Sequence, residues 1–473
     1  MKLSVNIGLE VHFQLNTNTK LFCACRNRHG QVANTDICPV CCGLPGALPV
    51  LNHDALEKAL QAAMALGLDL LPQIQFDRKN YYYPDLPKGY QITQVHCPVA
   101  ENGIFKIPAE GEMKGIRISR LHLEEDAGKT VYQRGIDDRF IDFNRSGTPL
   151  IEIVTRPDLH SSLEAGTFVR WLRASMLYLG VCNGNMEAGD IRVDVNVSVK
   201  NSRVTGLGRK VELKNLNSVR YVQNAIDFEI KRQTSVLLTG QTVCQETRFW
   251  NERRKATESA RQKEYMDDYR YFPDPDLTAI TISESWKNRL RFSLPALFSQ
   301  KIQKFICEYG LTVREAEILA EYPQMAAYFE NVLKSGIRPD IVARWLVNDV
   351  LARIKDARRI NRFHMNAQSF SELISLVVDG KISRRSAKMV MDRMAQTTQS
   401  VLEIVKEQQL YRIDHFDEIE EIIQMVVDDN KNMLEDFKGG ADKKRHYLTG
   451  LVMRKTNGRA NPETVAEILE KRF

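Results

Sequence analysis

Ile7-Gly8-Leu9-Glu10-Val11-His12-Phe13-Gln14-Leu15 and Ile191-Arg192-Val193-Asp194-Val195-Asn196-Val197-Ser198-Val199-Lys200 alternate small or apolar residues with polar ones almost without a break. Successive side chains of a strand point to opposite faces, so Ile7, Leu9, Val11, Phe13 and Leu15 share one face while Glu10, His12 and Gln14 share the other. In the second stretch the valines face one way and Arg192, Asp194, Asn196, Ser198 and Lys200 the other. Val211-Glu212-Leu213-Lys214 repeats the pattern. Such half-buried alternation belongs to an antiparallel sheet with one covered and one wet face. Short strands continue to about residue 290, punctuated by Pro45-Gly46, Pro84, Pro87-Lys88-Gly89, Gly147-Thr148-Pro149 and Pro273-Asp274-Pro275.

After Leu290 the period changes. Val342, Trp345, Leu346, Asp349, Val350 and Ile354 recur at helix spacing, and prolines become rare. The reading is an α+β chain in three parts: a sheet domain over 1–290, an all-helical domain over 291–404 and a helical tail domain over 405–473. In the tail, Asp414 is placed to cap an acidic helix carrying Phe416, Ile419, Ile423 and Val426, and Asn461-Pro462 supplies an N-cap with proline at the first helical position.

Composition narrows the class. Of 473 residues, 43% are hydrophobic and 27% charged, values of a folded soluble protein rather than a disordered, collagenous or membrane-spanning one. No run approaches a membrane span, and the apolar start meets Glu10 and His12 without a cleavage pattern, so a cytoplasmic protein with no membrane partner is expected. Nine cysteines, five of them between positions 23 and 42, fit a reducing compartment better than a disulfide framework. The net charge of +6 hides blocks of alternating sign: residues 351–398 hold ten basic against four acidic side chains, 403–436 three against eleven, and 438–459 seven against one. Separated basic blocks suit a phosphate backbone, and Lys443, Lys444, Arg445, Arg454, Lys455 and Arg459 are the tail's candidate contacts.

Glu152 lies inside Leu150-Ile151-Glu152-Ile153-Val154, where a nearly continuous apolar run implies burial. A buried carboxylate is costly unless paired or bound to a cation. Glu124-Glu125-Asp126 supplies further carboxylates. The apolar alternation changes phase between Ile118 and Leu121, so periodicity leaves open which of the three faces the site. Carboxylates with an imidazole suit Mg²⁺, which keeps water and substrate phosphates in its remaining positions. Ala127-Gly128-Lys129-Thr130 mimics the end of a phosphate loop, but the glycine required five positions before Gly128 is Leu123. Phosphates would therefore be met by side chains on the sheet, with Lys79, Lys88 and Arg192 as the candidate cations. Cys23-Ala24-Cys25 followed by Cys38-Pro39-Val40-Cys41 offers four thiolates in two close pairs, the pattern of a closed tetrahedral Zn²⁺ site, with Cys42 and His29 as spare donors.

These residues together resemble the B-subunit family of the bacterial and organellar heterotrimeric aspartyl/glutamyl-tRNA amidotransferases. The matching stretches are Gly8-Leu9-Glu10-Val11-His12, Lys79 through Gln91 (Lys-Asn-Tyr-Tyr-Tyr-Pro-Asp-Leu-Pro-Lys-Gly-Tyr-Gln), His122-Leu123-Glu124-Glu125-Asp126-Ala127-Gly128-Lys129, Gly147 through Val154, Tyr269 through Leu277 and Gly458-Arg459-Ala460-Asn461-Pro462. The resemblance covers the whole chain. It implies a cradle-shaped α+β domain related to the glutamine synthetase architecture, then a helical domain and a helical tail that contacts tRNA. It further implies ATP-dependent phosphorylation of the side-chain carboxylate of glutamate or aspartate misacylated onto tRNA, then displacement of phosphate by ammonia. The nitrogen would come from an amidase A subunit, with a small C subunit joining the two. Carried over by position, the resemblance implies His12, Glu125 and Glu152 as metal ligands, Glu10 and Asp194 as site acids with a catalytic role, and Lys79 and Lys88 facing phosphate. The rival reading, a non-catalytic RNA-binding protein, accounts for the cysteines and the charge blocks but not for Glu152 or the Glu10/His12 pair.

Overall fold

The computed structural model describes residues 3–132, 138–203, 205–260, 269–435 and 440–472. It divides into two compact units, Met1–Ser299 and Gln300–Phe473. The first is α+β and the second helical, in keeping with the change of period after residue 290.

Nine strands of the first unit form one sheet: β1 (Leu3–Gln14), β2 (Asp69–Leu70), β3 (Ala100–Ala109), β4 (Glu112–Glu125), β5 (Pro149–Thr155), β6 (Ile191–Asn201), β7 (Val211–Lys214), β8 (Thr247–Asn251) and β9 (Ala256–Ser259). Their spatial order is β9-β8-β7-β6-β1-β5-β4-β3-β2. All neighbours are antiparallel except β7 and β8. The two stretches quoted first are adjacent central strands, paired from Leu3 opposite Asn201 to Phe13 opposite Ile191. Their apolar positions behave as the alternation requires: Ile7, Val11, Phe13, Val195 and Val197 are fully buried.

That buried face is closed by helices α1 (His53–Ala65), α2 (Ser162–Tyr178) and α3 (Val219–Leu238), which pack on β4, β3 and β6 respectively. Each begins at a side-chain cap that satisfies an end N–H: Asn52, Ser161 and Ser218 accept from the backbone of Ala55, Glu164 and Tyr221. Gln233 of α3 accepts from Val199 N and donates to Val197 O, serving the part of β6 that runs past the end of β7.

The phase change between Ile118 and Leu121 is a β-bulge. Val154 of β5 stands opposite Arg120 and Thr155 opposite Ile118, which leaves Ser119 as the extra residue. Its hydroxyl donates to Val154 O. Both Ile118 and Leu121 thereby reach the buried face, and His122 and Glu124 fall on the open one.

A smaller sheet, Asp77–Asn80 flanked by Tyr90–Thr93 and Phe272–Pro273, packs on β4. In the second unit the last helices, Phe416–Asp429, Lys431–Glu435, Ala441–Lys455 and Pro462–Arg472, close on Ile419, Ile423, Val426, Leu448, Val452, Val465 and Leu469. Asn461 accepts from Glu463 N, as its position before Pro462 indicates. Asp414 does not cap the acidic helix. His415 occupies that position without a side-chain bond, while the Asp414 carboxylate accepts from Asn461 and pairs with Arg412. No helix among the described residues is long and apolar enough to cross a membrane.

The sheet core makes the first prediction. Phe13→Ala removes a fully buried ring from a central strand and should cost about 3–5 kcal/mol. Hydrogen exchange of the β6 amides should accelerate accordingly. Unchanged protection would show that the ring carries little of the packing.

Candidate functional site

The open face of the sheet collects its charged groups in rows across the strands. Arg192, His12, Glu152 and His122 are successive partners across β6, β1, β5 and β4, and Asp194 and Glu10 form the next row. Glu124 follows His122 by two residues on the same face.

Four of these groups meet. His12 Nε2 lies 3.4 Å from both Glu124 Oε1 and Glu152 Oε2. His122 Nε2 lies 2.8 Å from Glu152 Oε2 and 3.3 Å from Glu124 Oε2. Thr93 Oγ1 donates to Glu124 Oε2 at 2.9 Å, and His122 Nδ1 is buried with no partner among the described residues. Burial alone would pull both imidazoles down, but hydrogen bonds and the charges of the two glutamates outweigh it, raising His122 to about 9 and His12 well above its ordinary range. Burial would push the carboxyl groups up in the same way; the two imidazoles hold Glu124 and Glu152 well below the usual carboxylate range. Two carboxylates kept ionised next to one another call for positive charge between them. The ligand atoms of His12, Glu124 and Glu152 all lie within 4.8 Å of one another, so this donor set fits a divalent cation.

Glu125, the residue the resemblance matched to the metal, stands elsewhere. As the next residue after Glu124 it takes the opposite phase, and its Oε1 pairs with Lys88 and accepts from Ile92 N at 3.0 Å. The signal for Glu124 was in the sequence: Leu121 and Leu123 alternate with His122 and Glu124. Reading it required recognising the bulge. His122 was missed for the same reason.

The candidate cations differ in their pairing. Arg192 forms a two-pronged pair with Asp126, and Lys88 is tied to Glu125. Lys79 has no ion pair among the described residues and lies over the rings of Tyr269 and Tyr81, 4.7 and 5.6 Å from their centroids. Tyr81, Tyr83, Tyr269 and Tyr271 continue from it edge to face. Glu10 accepts from Asn196 Nδ2 at 3.0 Å. Burial first, then the charges of Glu152, Glu212 and Asp194, raises its pKa. Asp194 is held by Lys214 at 2.7 Å.

The four cysteines expected to bind metal come together. Sγ atoms of Cys23, Cys25, Cys38 and Cys41 lie within 4.8 Å of one another, and those of Cys38 and Cys41 are 3.9 Å apart. A regular tetrahedron with metal–sulfur bonds of about 2.3 Å places its sulfurs about 3.8 Å apart. The cluster therefore fits a structural metal ion. Cys42 stays outside it, and His29 faces Asp190. Lys20, fully buried, places Nζ 3.5 Å from Cys41 Sγ and donates to Asp36 O at 2.8 Å. The Cys41 thiol is pulled far down, first by its bond from Cys23 and then, against burial, by Cys38 N–H and the Lys20 ammonium.

In the second unit, Lys443, Arg454 and Lys455 of the Ala441–Lys455 helix are exposed. Lys455 reaches Asp429 at 2.7 Å and Arg445 pairs with Asp442, while Lys444 is half-buried. Arg459 is turned to the chain itself, donating to Gln409 O at 2.7 Å.

Residues 5–288 match the family described as GatB/GatE catalytic domain, and residues 327–473 that described as GatB domain. The chain is 43% identical over 472 residues to the B subunit of the aspartyl/glutamyl-tRNA(Asn/Gln) amidotransferase of Thermodesulfovibrio yellowstonii, covering 100% of this chain and 99% of that protein. It is 41% identical to the protein of the same description in Carboxydothermus hydrogenoformans, covering 99% and 98%. For the one in Caldanaerobacter subterraneus the identity is 42%, with 100% and 99% covered. With both domain matches in chain order and relatives alike from end to end, the chain belongs to the GatB/GatE family.

Proposed function

We propose that this chain is the amidating component of a tRNA-dependent amidotransferase, acting on glutamate misacylated onto glutamine tRNA, aspartate misacylated onto asparagine tRNA, or both. The observation that carries the reading is the cluster of two ionised carboxylates and two imidazoles on the open face of the sheet. Its partners in this reading are an amidase A subunit that releases ammonia from glutamine and a small C subunit.

The reaction balances in two displacements. A carboxylate oxygen of the aminoacyl group attacks the γ-phosphorus of ATP and ADP leaves; ammonia then attacks the acyl carbon and inorganic phosphate leaves. The attacking carboxylate is already ionised and needs no base, so the first step depends on positioning and charge neutralisation. His12, its proton displaced, would join Glu124 and Glu152 in holding Mg²⁺, which when bound supplies positive charge to the phosphate oxygens. Lys79, not spent on a carboxylate, is the side chain best suited to meet the transferring phosphoryl group. Lys88 and Arg192 reach it as members of ion pairs, with Glu125 completing the first of these. Glu10 is the better candidate to take a proton from incoming ammonium, because its raised pKa makes it the stronger base and no cation among the described residues pairs with it directly. Asp194 then orients Lys214. In the tail, Lys443, Lys444, Arg445, Arg454 and Lys455 serve as phosphate contacts, and Arg459 braces the fold beneath them.

The decisive assay is amidation by the complex reconstituted with A and C subunits, supplied in turn with each misacylated tRNA. ATP should be consumed only when such a tRNA is present, and consumption without it would overturn the reading. Glu124→Ala or Glu152→Ala should slow acyl-phosphate formation about a thousandfold or more, with tRNA still bound. Near-normal amidation with saturating Mg²⁺ and supplied ammonia would remove that carboxylate from the mechanism.

The cysteine cluster should hold one zinc ion per chain, because paired thiolates in a short loop make a closed tetrahedral site. Elemental analysis after chelator-free purification checks this; a folded protein with no zinc would refute it. For the tail, changing Lys443, Arg454 and Lys455 together to Gln should weaken tRNA binding and flatten the slope of log affinity against log salt by about 2. An unchanged slope would make these charges a merely solvated face.

A further inference from the structure

Between Asn80 and Tyr90 the chain has neither strand nor helix, yet Lys88 is held in one place with its ammonium on Glu125. Among the described residues two local turn bonds, Leu86 N to Tyr83 O and Gly89 N to Leu86 O, brace it from within. From outside, Gly128 N donates to Asp85 O at 2.8 Å, and at Lys88 itself it is the cysteine knuckle that bears on the segment. The turn Cys38–Gly43 is wound by Cys42 N donating to Cys38 O at 3.0 Å and Gly43 N to Val40 O at 3.1 Å. Gly43 has φ +68° and lies so close to Lys88 that a Cβ there would sit 2.6 Å from Lys88 Cγ and 2.8 Å from Lys88 Cα. Backbone therefore rests directly on backbone, which only glycine permits at this point.

A second contact reaches the other member of the pair. Ser146 Oγ donates to Cys41 O at 3.0 Å. At Gly147, φ +83°, an added Cβ would meet Cys41 Cβ at 3.4 Å, Lys20 Cδ at 3.5 Å and Glu125 Oε2 at 3.9 Å. The knuckle thus presses on the cation through Gly43 and approaches the carboxylate across Gly147.

We propose that the four-cysteine knuckle is a positioning device for Lys88: metal binding fixes the Cys38–Gly43 turn, and that turn fixes the Lys88–Glu125 pair beside the cluster of His12, Glu124 and Glu152. The mechanical link stands on the contacts above; its consequence for catalysis rests on the amidation reading. A knuckle that merely staples its own loop would not transmit its state to Lys88. One that positions Lys88 must do so, and must lose its effect once the lysine is gone.

The test compares metal-loaded wild-type chain in its complete complex with Cys38→Ser, Gly43→Ala and Gly46→Ala. Gly46 also has a positive φ, +80°, but nothing lies within 4 Å of its Cβ position, so it controls for backbone strain alone. Hydrogen exchange is read at Gly89 and at Ile92, whose amide donates to Glu125. Cys38→Ser and Gly43→Ala should each speed exchange there tenfold or more, while amides of β6 keep their protection and Gly43→Ala keeps its full metal content. Gly46→Ala should match wild type. In the amidation assay both active variants should lower kcat with little change in KM for the misacylated tRNA, and neither should lower it further when combined with Lys88→Met. Protected Gly89 and Ile92 amides in metal-free Cys38→Ser, or Gly43→Ala behaving like Gly46→Ala, would overturn the link. Losses that multiply with Lys88→Met would overturn its action through that lysine. Faster exchange in a wild-type-assembled complex that never amidates would instead uphold the link and overturn the functional reading.

Discussion

Two ionised carboxylates placed against each other on a half-covered sheet are the condition around which this chain is organised. Glu124 and Glu152 repel, and their burial makes the repulsion expensive. His12 and His122 supply the opposing charge from the strands on either side, so the cluster exists only if β1, β4 and β5 keep one register. Everything beneath serves that register. Helices α1 to α3 close the apolar face, caps satisfy their ends, and Gln233 bonds backbone groups of β6 at and just beyond the end of β7.

The same economy of charge shapes the ground around the cluster. Arg192 with Asp126, Lys88 with Glu125, and Lys214 with Asp194 and Glu212 place pairs rather than single ions beside it. Lys79 is treated differently: tyrosine faces, not a carboxylate, accompany it. A cation lying on aromatic rings keeps its charge for a passing anion, because the ring quadrupole attracts it without neutralising it. The candidate cations thus include both buffered and unbuffered positive charge.

Much of this was legible in the sequence. Period-two alternation identified β1 and β6 with their faces, because a strand's geometry leaves its side chains no third direction. The C-x-C and C-x-x-C spacing brought the four cysteines together, since short loops leave paired thiols few places to go. What escaped were features set by other parts of the chain. Glu125 came from the resemblance, while periodicity left Glu124, Glu125 and Asp126 open, because a single extra residue opposite β5 shifts the phase of β4 and a bulge is visible only once both strands are aligned. His122 was hidden by the same shift. Asp414 looked like a cap by local chemistry, but Asn461, distant in sequence, competes for its carboxylate. The pairing of Lys88 and Arg192 with carboxylates likewise depends on strands that meet only in three dimensions.

The bulge at Ser119 has a counterpart in how the chain can vary. Its side chain contributes one hydroxyl bond to Val154 O, so most substitutions there disturb little. Its presence as a unit of length does far more: taking one residue out between Ile118 and Leu121 would turn Leu121 and Leu123 toward the charged face and drive His122 and Glu124 into the apolar layer. At this point the chain tolerates spelling errors but not a change in the count of letters, and the reading frame in question is that of the pleat.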